Sequence, residues 1–260
     1  MKVLTLDHCA YLSHIHDVSG LSNLEKLSFE NCNNLITIHN SVGHLNKLEI
    51  LSAYGCTKLK RFPPLGLVSL KEFNLSCCTS LKSFPELLCK TTHIKEIDIS
   101  HTSIGELPSS FQNLSELHHL TIWDCGMLRF PQDNDKMYSI VFSNVTKLIL
   151  EDCNLSNECL PILLKWCVNV TYLHLSKNNF KFLPKCLSEC HHLKYLGLHY
   201  CYSLEEIRGI PPNLEELSAY QCKSLSSSCR RMFMSQVGCC YCTIVFDISY
   251  SISYIYLYFI

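Results

Sequence analysis

The sequence carries no excess charge of either sign. Its 23 Asp and Glu stand against 22 Lys and Arg over 260 residues, a net charge of −1. That balance excludes the basic footprint that nucleic acid requires and the polybasic patch that draws a chain to a membrane surface. No G-x-x-x-x-G-K-[ST] loop occurs, so nothing assigns ATP or ADP to any residue and no cofactor is expected. The 13 histidines are scattered, with no nucleophile elbow or Ser/His/Asp order to organise them, and the chain is not expected to be an enzyme. No linker-like stretch breaks the sequence, which favours one continuous array over two globules. No secretory signal is visible, because Met1–Leu4 already reads as a repeat strand. No polar cap precedes that strand either, so the chain is expected to be a piece of something longer.

What fills the chain instead is a repeat. Leu24 to Leu35, LEKLSFENCNNL, sets apolar residues at Leu24, Leu27, Phe29 and Leu35 with a small thiol at Cys32. The same pattern starts at Met1, Leu24, Leu48, Leu70, Ile94, Leu117, Val145, Val170, Leu193 and Leu214, with spacings of 21 to 28 residues. L-x-x-L-x-L-x-x-(N/C)-x-L at that period is the leucine-rich repeat signature. Leu27 and Phe29 lie two apart and point to one side of a short strand, while Ser28 and Glu30 point to the other. Burying about six apolar side chains per unit yields on the order of 10–15 kcal/mol. Ordering the backbone of one unit costs roughly 1–2 kcal/mol per residue, so a lone unit loses and stacking is obligatory. The expected fold is an α/β leucine-rich-repeat solenoid, a horseshoe with a parallel sheet on its concave side and irregular or short-helical segments on its convex side. The repeats are assigned to residues 1–228, and 229–260 to an atypical tail outside them.

Eighteen cysteines would suggest a disulfide scaffold in a short secreted chain. Their positions argue otherwise. Cys9, Cys32, Cys56, Cys78, Cys125, Cys153, Cys201 and Cys222 occupy the turn position that Thr102 and Asn178 fill in the other two units. A small donor there can satisfy backbone carbonyls of adjacent coils. One thiol per rung therefore reads as reduced, buried and structural, which points to a reducing compartment. Five glycosylation sequons, at Asn74, Asn113, Asn144, Asn154 and Asn169, are read as unused by-products of the repeats. On the convex side, Phe62-Pro63, Phe84-Pro85, Leu107-Pro108, Phe130-Pro131 and Leu183-Pro184 should impose extended, turning backbone. A polar insertion, Gln132 to Ser143, should bulge as a convex loop. Pro161 should sit in the first turn of a short convex helix.

Two cysteine groups have metal-ligand residue types. Cys186, Cys190, His191 and His192 lie where the repeat stays in phase, and Cys239, Cys240 and Cys242 lie in the tail; neither shows a second ligand pair at zinc spacing, so no metal is expected. The tail's apolar stretch contains Asp247 and falls short of the roughly 20 residues a membrane span needs. It alternates with a strand period.

Cysteine at the turn position, F-P or L-P on the convex side, and the terminal GIPPNLEELSAYQCKSLSSSCRRMF together resemble the leucine-rich-repeat region of plant intracellular immune receptors of the TIR–nucleotide-binding–LRR class. The stretch NDKMYSIVFSNVTKLILEDCNLSNECLP is similar to legume members. The resemblance covers about residues 1–236 and implies a TIR domain and nucleotide-binding switch ahead of this segment. It implies a cytoplasmic protein, with the nucleus as a second site. It also implies recognition of a pathogen effector or host target, with the repeats restraining the switch. Two other classes share part of this pattern. A ubiquitin-ligase substrate receptor has repeats similar to unit seven, but calls for an F-box bundle and units nearer 26 residues. An extracellular receptor calls for Asn at most ladder positions.

The register names the concave face. Outward positions include Ser28, Ser52, Ser76, Ser100, Ser176, Gly197 and Ser218. The candidate protein-binding residues are Glu30, Tyr54, Asp98, His101, Trp123, Asp124, Glu151, Asp152, Lys177, His199, Tyr200 and Tyr220. Among them Asp98, Asp124, Glu151 and Asp152 are expected to form an acidic stripe. The aromatics are the kind of anchor that binding hot spots favour.

Overall fold

A computed structural model describes residues 1–126, 128–129, 144–166, 168–229 and 243–245. The chain forms two compact units, one built from residues up to 144 and one from Val145 onward. The division falls at the long sixth repeat, whose insertion at 132–143 lies outside the described residues, as do Phe130-Pro131 and Cys239, Cys240 and Cys242.

The first unit contains β1 (Val3–Thr5), β2 (His14–Ile15), β3 (Lys26–Ser28), β4 (Thr37–Ile38), β5 (Ile50–Ser52), β6 (Glu72–Asn74), β7 (Glu96–Asp98) and β8 (His119–Trp123). Its sheet runs β1-β3-β5-β6-β7-β8. The second contains β9 (Lys147–Glu151), α1 (Leu160–Trp166), β10 (Tyr172–His174), β11 (Phe182–Leu183), β12 (Tyr195–Gly197), β13 (Glu206–Ile207), β14 (Glu216–Ser218) and β15 (Thr243–Val245). Its sheet runs β9-β10-β12-β14-β15. Every pair is parallel and steps by one repeat. Leu4 pairs with Leu27, Leu27 with Leu51, and Leu51 with Phe73; Leu148, Leu173, Leu196 and Leu217 pair in turn. These are the fourth positions of the repeats, so the expected register holds coil by coil. Each fold unit is a leucine-rich-repeat stack. From the segment assigned to the tail, β15 pairs in parallel with β14, Leu217 opposite Ile244.

The inner rows close as the pattern requires. Leu24, Leu27, Phe29, Cys32 and Leu35 are all fully buried. On the outer side β2 pairs with β4, β11 with β13, and Leu65 bridges Leu87. Pro108 and Pro184 are extended (ψ 159° for both) and lead into 3-10 turns at Ser109–Asn113 and Lys185–Glu189, which bury Phe111 and Leu187. Proline's fixed φ suits that entry. Pro161 lies in the first turn of α1, as the spacing predicts.

All 14 described cysteines are free. The ladder thiols donate to carbonyls of the preceding coil: Cys32 to Leu6 at 3.1 Å, Cys56 to Phe29 at 3.1 Å, Cys78 to Ala53 at 3.1 Å and Cys222 to Leu198 at 2.8 Å. Burial pushes Cys56 and Cys78 up to about 12, which removes the reactive thiolate near neutral pH. Cys9 departs from the expected burial. It is exposed, because no described coil covers its far side.

Immediately before each ladder residue the backbone is left-handed. His8, Asn31, Gly55, Cys77, His101, Asp124, Asp152, Lys177, Tyr200 and Gln221 all have φ between 52° and 71°. That turn carries the chain off the strand and drives the ladder residue inward, while the residue's own N–H still bonds the next coil, as His101 does to Trp123 at 2.7 Å. Left-handed backbone costs a non-glycine residue roughly 1–2 kcal/mol. Glycine at 55 takes that turn without the steric cost and leaves room for the Asn31 side chain, whose Oδ1 would lie 2.4 Å from an added Cβ.

Candidate protein-binding face of each unit

Five of the 12 candidate residues, His101, Asp124, Asp152, Lys177 and Tyr200, sit on this left-handed turn. The others lie on the strands or two residues beyond them. None of the 12 is buried. Leucine-rich geometry thus displays five of the candidate side chains from left-handed backbone, a conformation that costs a non-glycine residue free energy.

In the first unit the structure gathers His101, Trp123 and Asp124. His101 Nδ1 lies 3.0 Å from Asp124 Oδ2, and its ring packs 4.6 Å from that of Trp123. Trp123 nevertheless keeps 40% of its surface exposed, and Tyr54 keeps 37%. Ser100 anchors the cluster from below: its hydroxyl accepts from Trp123 N at 3.1 Å, and its own N–H donates to Asp98 Oδ1 at 2.8 Å. A similar pattern recurs nearer the first strands. Ser28 Oγ donates to Asp7 at 2.5 Å and Ser52 Oγ to Glu30 at 2.6 Å. The outward serines are therefore buried. Ser28, Ser52, Ser76, Ser100, Ser176 and Ser218 point to the sheet's open face, as the period demands, yet each has 5% exposure or less. Alternation tells which face a side chain takes, whereas the longer neighbours on the next coil decide whether water reaches it. Tyr54 interacts with the Cys77 thiol and lies near the Glu30 and Asp98 carboxylates, which together raise its phenol above the ordinary value.

In the second unit Glu151, Lys177, His199, Tyr200 and Tyr220 come together with residues outside the candidate set. Lys177 Nζ lies 2.8 Å from Glu151, whose carboxylate also faces His174 Nε2 at 3.6 Å. Glu151 is thus a paired carboxylate rather than a bare one. The His174 and His199 rings are 5.6 Å apart, and Tyr200 meets Tyr220 edge-on at 5.5 Å. Tyr172 and Tyr195 stack at 4.2 Å with their ring planes nearly parallel. These two tyrosines occupy the third repeat position, whose outward direction follows from the same two-residue period; that was the signal by which they could be found. Gly197 makes room: a Cβ there would lie 3.0 Å from both His174 Nδ1 and the Tyr195 hydroxyl.

The imidazoles of this cluster are held below 6.5, chiefly by burial, with Glu151 opposing. The folded state therefore prefers them neutral. Their contribution is complete above 6.5 and declines as pH falls from there towards the folded values, because the unfolded chain takes up protons first. Denaturant midpoints measured from about pH 7.5 to about pH 5 should fall, and the double variant His174→Gln, His199→Gln should flatten that slope.

The comparisons agree with this architecture. A family model described as Leucine Rich Repeat matches residues 93–114. Disease resistance protein RPS4 of Arabidopsis thaliana is 30% identical over 87% of this chain, which spans 20% of that protein. Protein SUPPRESSOR OF npr1-1, CONSTITUTIVE 1, of the same plant is 29% identical over 84% of the chain and 14% of its own length. TMV resistance protein N of Nicotiana glutinosa is 25% identical over 84% of the chain and 25% of its own length. Among solved structures, the LRR ectodomain of the plant membrane receptor kinase GASSHO1/SCHENGEN3 from Arabidopsis thaliana aligns with a TM-score of 0.56 at 20% identity, covering 86% of this chain and 29% of that one. The leucine-rich repeat domain of the type III effector XopL aligns at 0.52 with 18% identity, covering 94% and 75%. Those two likenesses concern the fold. Among the described residues no helix is long and apolar enough to cross a membrane.

Proposed function

We propose that this chain, most of which is similar to plant disease resistance proteins of the TIR–nucleotide-binding–LRR kind, is a recognition segment of such a receptor. The chain spans 14–25% of its curated relatives, so the switch and signalling parts belong to other segments of proteins of that kind. Its work is to grip another protein, a pathogen effector or a host target, with the open face of its sheets. In a full receptor the same face restrains the nucleotide-binding switch until contact releases it. The setting is the cytoplasm, which suits a ladder of free thiols. Binding rather than catalysis is the role of this chain.

One observation carries the reading: a strand tryptophan with 40% of its surface in water, braced by His101 and flanked by Asp124. Exposed Trp ordered against its neighbours is the anchor that binding hot spots favour, because little side-chain entropy remains to be lost. The test compares capture of plant-extract proteins by the wild-type chain, by Trp123→Ala with Glu151→Lys, and by the outer-side control Leu88→Ser. The double variant should lose about thirtyfold or more in affinity for the captured proteins, equivalent to about 2 kcal/mol, while keeping a cooperative melting transition. Equal capture by the double variant would overturn the assignment, as would loss of capture by the Leu88→Ser control alone.

A further inference from the structure

The charges of the first unit are segregated. Residues 1–130 contain 12 Asp and Glu and 11 Lys and Arg. At the outward repeat positions of the six strands, however, Asp7, Glu30, Glu72, Glu96, Asp98 and Asp124 stand against Lys26 alone. Of the other ten Lys and Arg, Lys2, Lys71 and Lys95 stand at the second repeat position, just before the strand residues. Among the described residues, none of the six carboxylates has a Lys or Arg within ion-pair distance; Glu96 and Asp124 meet only His119 and His101, at 2.7 and 3.0 Å. The cations that do form ion pairs in this unit, Lys2 with Glu25 and Lys71 with Glu49, lie one position before the strands.

We infer that the open face of the first unit docks a basic, arginine-rich segment of a partner protein, with Trp123 and Tyr54 as stacking platforms for its guanidinium groups. The inference deepens the recognition reading above and rests on it. Three features of the face fit that occupant. Its carboxylates are aimed in advance: Ser28 and Ser52 hold Asp7 and Glu30 from the next coil, and Ser100 N holds Asp98. Ordered acceptors lose little entropy on meeting a donor fork. Two flat rings with 37–40% exposure lie among those carboxylates. A planar cation stacks on such rings and still reaches an acid with its edge, which a compact ammonium does less well. The sign of the face also disfavours nucleic acid and acidic peptides, since like charges brought together repel.

The test titrates the full chain with an oligo-arginine peptide and an oligo-glutamate peptide by calorimetry. Three forms are compared: wild type; Glu96→Gln, Asp98→Asn, Asp124→Asn; and a control with the same charge change off the face, Glu86→Gln, Glu106→Gln, Glu116→Gln. Oligo-arginine should bind the wild type and the control alike and the face variant about tenfold or more weakly. The wild-type affinity should fall between about 50 and about 200 mM salt, because exposed charges are screened. Oligo-glutamate should give no heat of binding. Equal weakening of the face variant and the control would overturn the inference, as would an oligo-arginine affinity no better than that for oligo-glutamate. Loss of protein capture in Trp123→Ala with Glu151→Lys, alongside either of those outcomes, would leave the recognition reading standing and remove only the basic partner.

Discussion

Asn178→Ala is expected to lower the unfolding free energy by roughly 3–5 kcal/mol. Asn178 has 1% exposure and makes five hydrogen bonds. Its Nδ2 donates to Leu150 O at 2.7 Å, Leu175 O at 2.9 Å and Ser176 O at 3.1 Å. Its Oδ1 accepts from Cys153 N at 3.1 Å and Leu155 N at 3.0 Å. Two of the carbonyls have other donors, the Cys201 thiol on Leu175 O and Asp152 N on Ser176 O. The two N–H groups carry most of the penalty, at about 1–3 kcal/mol each when stranded in the interior. Asn178→Cys, which copies the neighbouring rungs, should cost less, roughly 2 kcal/mol. In those rungs the ladder N–H bonds its own coil, as Cys56 N does to Ala53 O at 3.1 Å, and Cys153 would have to adopt that turn. Urea midpoints of the two variants against wild type decide the matter, and an unchanged midpoint for Asn178→Ala would refute the ladder's energetic role.

The spine of the fold was legible because its determinants are local and periodic. Leu27 had to pair with Leu51 once both were fourth positions, and it does. Thiols recurring once per coil had to be interior donors, and from Cys32 onward every ladder cysteine is buried. The face was legible only in direction. That Trp123 faces outward follows from its distance from Ile122, but that His101 packs on its ring depends on one coil's left-handed turn meeting the next coil's strand. The pairing of Glu151 with Lys177 is likewise a contact between coils 26 residues apart. Composition within one repeat shows an acid there, and only the neighbouring coil shows that it is neutralised. The burial of Ser28 beneath Asp7 has the same origin. Period gives orientation; contacts between rungs give exposure and charge.

The same distinction between rows and rungs governs the core of the first unit, where aromatic rings run from the strand residue Phe73 to the outer side. Phe62 meets Phe73 at 5.5 Å, Phe73 meets Phe84 at 5.9 Å, and Phe84 meets Phe111 at 5.1 Å, each edge to face with interplanar angles of 73–75°. Phe84 has 3% exposure and two ring partners, so its removal breaks the row in the middle. Phe84→Ala is expected to destabilise by roughly 3–5 kcal/mol, combining lost transfer energy with an unfilled cavity. The walls cannot collapse to fill it, since Pro85 on one side and the Leu65–Leu87 bridge on the other fix the backbone. Phe84→Leu keeps most of the volume and forfeits mainly the two ring contacts, so about 1–2 kcal/mol should be lost. Because each coil touches only its neighbours, Phe84→Ala should also raise amide exchange most strongly in β6 and β7 and least in β1. A uniform rise across all six strands would instead mean that the first unit melts as one block, and the row of rings would then have no local role.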